Sequence, residues 1–87
     1  MDQQKMLDEL LAAAQSLGVM VREVSLKAQE PAAQSGLIML KGKPVLFLDA
    51  GLDLPERLRV VVNAIKNMNL DDVYISPAAR AVLEHET

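Results

Sequence analysis

The chain has 87 residues, a net charge of −3 and no cysteine, which points to one small domain, residues 1–87, without disulfides or thiolate chemistry. Its hydrophobic content of 51% suffices for a core, yet Phe47 and Tyr74 are its only aromatics, so that core must be built from Leu, Val, Ile, Met and Ala. The balance is acidic and the basic residues are interleaved with acids, which argues against a nucleic-acid or anionic-membrane partner. No apolar run approaches the ~20 residues of a membrane span, and no leader pattern opens the chain; the expectation is a cytoplasmic protein.

In chain order, Leu7, Leu10, Leu11, Ala14 and Leu17 share one face at helical spacing, predicting a helix from about Gln3 to Leu17 that Gly18 stops in a left-handed conformation. Lys5 and Glu9, four apart, are placed to pair weakly. Val19 to Leu26 predicts a strand with Arg22 and Glu23 interspersed, as in an edge strand that must avoid pairing with strangers. Lys27 to Ser35 has no periodicity and a central Pro31; it reads as a connector, and it is the one stretch long enough to cover a site.

Gly36 to Met68 organises the rest. Leu37-Ile38-Met39-Leu40 and Val45-Leu46-Phe47-Leu48 are apolar runs bounded by glycine, proline and charge, which suits a β-hairpin. A two-residue Gly42-Lys43 turn would need the amide of residue 44, and Pro44 has none. The expectation is therefore a wider loop, Lys41 to Pro44, with Leu40 opposite Val45. Alternation puts Ile38, Leu40, Val45 and Phe47 on one face and Leu37, Met39, Leu46 and Leu48 on the other. Leu58, Val61, Val62, Ile65 and Met68 then form the stripe of an amphipathic helix, opened either by an Asp53–Glu56 capping box or by a cap at Leu54 with Pro55 at the first position. Val60 and Ala64 point away from that stripe. Val73-Tyr74-Ile75 is a short extended piece that either adds a fourth strand at the sheet edge or lies across it. Ser76 and Pro77 open a last short helix through Leu83, and His85 to Thr87 are expected to fray. The order predicts an α+β domain: a small, mainly antiparallel three-stranded sheet packed with two longer helices and a short C-terminal one.

Chemistry-bearing patterns are scarce. His85 is the single histidine, whereas a zinc hydrolase needs two or three converging ligands. Ser16, Ser25, Ser35 and Ser76 are explained by local structure rather than by a base and an orienting group. Gly36, Gly42 and Gly51 make neither a P-loop nor a dinucleotide fingerprint. Asp49, Asp53, Asp71 and Asp72 have cap and turn roles. Lys41, Lys43, Arg57, Arg59 and Lys66 are interleaved with acids and lack an aromatic platform, as a solvated face would be. The expectation is a non-enzyme with no cofactor and no metal.

Ser35-Gly36, the strand, the turn, Val45-Leu46-Phe47-Leu48-Asp49 and the following Leu-x-Leu-Pro-Glu-Arg helix start resemble the opening of ImmA/IrrE-type metallopeptidase domains over about 30 residues, a matter of pattern more than motif. In that family the helix carries His-Glu-x-x-His. Here it reads Arg59-Val60-Val61-Val62-Asn63-Ala64-Ile65-Lys66-Asn67-Met68, so the resemblance implies a scaffold and no catalytic role. The chain also looks like small bacterial proteins with a Gly-strand-Lys-Gly-x-Pro-strand hairpin and a Val-Tyr-Ile-x-Pro-Ala-x-Arg end, a likeness that implies no function.

Both hairpin faces are oily, and the central helix can cover only one. If the other helices pack on that same side, the opposite face is left for a partner. The expectation is a protein–protein interaction or accessory module, a homodimer or a partner of another protein, whose candidate interface is Leu37, Met39, Leu46 and Leu48 or the outward Val60 and Ala64. The alternative is a degenerate metallopeptidase-like ligand-binding domain or small hydrolase, with its site between the Lys27–Ser35 loop and the hairpin.

Overall fold

In a computed structural model of the chain, which describes residues 2–25 and 36–85, Asp2 opens the first helix, α1 (Gln3–Ser16), by accepting a hydrogen bond from the Lys5 backbone N–H at 2.8 Å. That satisfies one of the four orphan donors of a helix start. Gly18, at φ +88°, turns the chain out of the helix into strand β1 (Met20–Val24). Strands β2 (Gly36–Leu40) and β3 (Lys43–Asp49) form the hairpin, and α2 (Leu54–Ile65) and α3 (Pro77–His85) complete an α+β fold.

The hairpin closes more tightly than expected. Leu40 pairs with Lys43 and Ile38 with Val45, so the turn is the two residues Lys41 and Gly42, both at positive φ (53° and 80°). That is the backbone signature of a type I′ turn, whose twist matches the strands it joins. Pro44 lies within β3 opposite Met39. Counting outward from the closing pair, this is a non-hydrogen-bonded position, so the missing N–H costs the hairpin nothing. The register moves by two residues from the expected one, and the division of side chains between the two faces is unchanged.

The sheet order is β1-β3-β2, with β1 parallel to β3 and β2 antiparallel to it. The sheet is therefore mixed rather than mainly antiparallel. Successive strands run up, down and up; β1 beside β2 would give an antiparallel meander, whereas β1 beside β3 must be parallel. The continuous apolar run of β3 takes the central position, where both its edges are paired. The charged strand β1 takes an edge. Val73–Ile75 joins no strand; Ile75 instead tucks into the core.

All three helices share one core with a single face of the sheet. Met6, Leu7, Leu10, Ala13 and Ala14 of α1, Val61, Val62 and Ile65 of α2, and Ala79 and Leu83 of α3 pack with Val19, Leu46, Leu48 and Ile75. Burying each large aliphatic side chain there is worth about 1.5–3 kcal/mol. The Asp53 carboxylate caps α2 by accepting from Glu56 N–H at 2.9 Å, which decides the cap in favour of Asp53, with Pro55 in the first turn. Ser76 Oγ accepts from Ala79 N–H at the start of α3. Glu9 turns to α3 rather than to Lys5: its carboxylate accepts from the Ser76 backbone N–H at 2.6 Å and ties α1 to that start.

Candidate interaction surface

β3 shows how the two sides of the sheet differ. Leu46 and Leu48 point into the helical core and are fully buried. Val45 and Phe47 point the opposite way, and no helix or strand of the described residues lies over them. Their row-mates are set by register: Met20, Val45 and Ile38 stand side by side across the three strands, and Arg22, Phe47 and Gly36 form the next row. Val45 is buried between its neighbours, but Met20 is 50%, Ile38 46% and Leu40 52% exposed. Arg22 lies over this face, its Nε donating to the Met20 sulfur at 3.3 Å.

This reverses part of the expected interface. Leu46 and Leu48 cannot meet a partner, because the helices of their own protomer seal them. Leu37 shares their side and is half-buried against the core. Met39 also shares that side, but sits towards the hairpin tip and stays 65% exposed. The bare face is the other one, carrying Met20, Ile38, Leu40, Val45 and Phe47. The two alternating sets are about equally apolar, so side-chain chemistry could not tell which would lie under the helices.

Val60 and Ala64 are half-buried on α2 and, with Asn63, Leu37 and Gly36, line an open groove of about 300 Å³ along the β2 edge. They stand one helical turn apart, the spacing at which His-Glu-x-x-His holds two metal ligands; here the positions carry valine and alanine. Among the described residues no three His, Asp or Glu side chains gather as a metal cage requires, and no helix is long and apolar enough to cross a membrane. The Lys27–Ser35 loop lies outside the described residues.

The two free edges of the sheet contrast as sharply as its faces. On the β1 edge, Glu23 pairs with Arg57 of α2. The same guanidinium donates from Nε to the Leu52 carbonyl at 3.1 Å and from Nη2 to the Ala50 carbonyl at 3.0 Å. Arg57 thus pins the β3–α2 connector to β1; in the sequence it looked like one more solvated cation, and only its spacing of five and seven residues from two connector carbonyls hinted otherwise. The β2 edge carries no charge from Gly36 to Leu40 and, among the described residues, no such clamp.

These features define a class: a two-layer α+β module whose described helices lie on one side of a three-stranded mixed sheet, with apolar side chains on the other. No family model, curated protein or solved structure matches the chain.

Proposed function

We propose that this protein is a non-catalytic interaction module of the bacterial cytoplasm that self-associates through the exposed apolar residues of its sheet. The observation that carries the reading is the group Met20, Ile38 and Leu40, each about half exposed on the sheet face turned from the helices, with Met39, 65% exposed, at the same hairpin's edge. Monomeric soluble domains rarely leave a contiguous apolar patch of that kind in water, because covering it is favourable in proportion to its area. A second copy, or another protein, is the kind of cover that fits; the reading calls for no cofactor, metal or nucleic acid.

Light scattering across a concentration series tests it. The expected result is a mass rising from the 9.5 kDa monomer towards twice that value. A constant monomer mass at the highest attainable concentration would sink self-association.

A second reading, a degenerate metallopeptidase-like ligand-binding domain or small hydrolase, rests on the resemblance of the hairpin and the start of α2 alone. Elemental analysis of protein purified without chelator separates the two, since stoichiometric zinc or iron is expected only from the second.

A further inference from the structure

Resting on the self-association reading, we infer that the second copy docks on the β2 edge, strand against strand and antiparallel, about a two-fold axis at Ile38, giving a continuous six-stranded sheet. The phase of the hydrogen bonds sets this register. Leu40 and Lys43 close a two-residue hairpin, so they exchange both backbone bonds, and the pairs alternate from there. Leu40, Ile38 and Gly36 therefore turn their N–H and C=O groups towards β3. Leu37 and Met39 turn theirs outward, to the free edge. Pro44 opposite Met39 fits the same phase.

Two copies of β2 can pair antiparallel only if outward residues meet outward residues. That leaves registers centred on Leu37, Ile38 or Met39. The one centred on Ile38 uses the whole strand: Leu37 faces Met39 of the second copy, Ile38 faces Ile38, and Gly36 faces Leu40. It also matches shape. Cross-strand partners share a face, so the 65%-exposed Met39 of each copy lands beside Leu37 of the other, over the groove lined by Val60, Asn63 and Ala64. The half-exposed Leu40 of each lands beside Gly36, which has no side chain and nothing within 4 Å of the space a Cβ would fill.

Charge agrees. Lys41 and Lys43 crowd the hairpin tip, while Asp49 and Asp53 lie at the opposite end of β3, where α2 begins. An antiparallel pair sets each basic tip at the other copy's acidic end; a parallel pair would set the two basic tips together. Ile38, Met39 and Leu40 are each about half exposed or more along this one strip. The β1 edge offers no equivalent, because Arg22 and Glu23 break its apolar run.

The absence of cysteine makes single-cysteine cross-linking of the full chain a direct test. Ile38→Cys, Leu37→Cys and Met39→Cys are oxidised separately at a concentration where the wild type is dimeric, and read on a non-reducing gel. Across a non-hydrogen-bonded pair the Cα atoms lie about 4.5 Å apart, within disulfide range, whereas residue 37 or 39 faces its own copy two residues out of step, at about 8 Å and beyond that range. Ile38→Cys is expected to cross-link at least about tenfold more than either other variant, and an equimolar mixture of Leu37→Cys and Met39→Cys to cross-link where neither does alone. A dimer by light scattering in which Ile38→Cys does not cross-link, or in which Leu37→Cys or Met39→Cys does so alone, would overturn this register and leave self-association standing. A wild type that stays monomeric would overturn both. Because Ile38 is half exposed, the cysteine variant should keep its fold, and its far-ultraviolet circular dichroism confirms that before oxidation.

Discussion

Leu46 and Met20 are both apolar residues on adjoining strands, and they live in different solvents. Leu46 faces the helical layer and is fully buried; Met20, one register position away on β1, faces outward and is half exposed. The difference comes from which way each side chain leaves the sheet rather than from residue type. Layered domains ordinarily give such alternation a chemical signature, apolar inward and polar outward. Here both sides are apolar, which is why the outer one reads as a surface for a partner.

Substitution can break that contrast in graded steps. The largest effect belongs to the sealed side: Leu46→Ala should cost about 2–5 kcal/mol, the range for truncating a buried leucine that leaves a cavity, measured as a shift of the urea midpoint at constant m-value. A loss below 1 kcal/mol would mean the helical layer does not close over β3 as described. Next comes the clamp between layers. Arg57→Ala removes two hydrogen bonds to connector carbonyls and the exposed pair with Glu23; with the ion pair discounted for solvent screening, a loss of about 1–2 kcal/mol is expected, with faster amide exchange in the connector at residues 50–53. Unchanged exchange there would show that the guanidinium does not hold it. The smallest effect belongs to the bare side. Met20→Thr should change the stability of the monomer by no more than about 0.5 kcal/mol, read in dilute solution; a loss like that of Leu46→Ala would mean the outer face is sealed after all.

Much of the fold was legible in the sequence because local chemistry determines it. Leu7, Leu10 and Ala14 of α1 and Val61, Val62 and Ile65 of α2 are buried as their stripes imply, while Leu11, Leu17 and Leu58, and Met68 beyond the end of α2, are only partly buried. The caps at Asp53 and Ser76 are bonded where their spacing implied, and Gly18 holds the positive φ a helix stop calls for. Pro44 misled the reading of the hairpin turn. A proline lacks a donor, but whether a donor is needed depends on the phase of the ladder, and that phase is fixed by the turn itself. The strand over Val19–Leu26 was recognised, but its neighbour was not, since nothing local distinguishes pairing with β2 from pairing with β3.

The candidate surface was half legible. The excess of apolar sheet over available helix is countable along the chain, and among the described residues all three helices gather on one side. Leu46 and Leu48 were nevertheless assigned to the opposite face. A strand alternates with period two whichever way it is turned, so Leu46 and Leu48 are interchangeable with Val45 and Phe47 until helices come down on one side. Sequence by itself determined the elements, their caps and the surplus of oil, because propensity, capping and periodicity act within a few residues. Strand order, the orientation of β1, the identity of the bare face and the Arg57 clamp were decided only in the tertiary structure, where residues distant along the chain compete for the same neighbours.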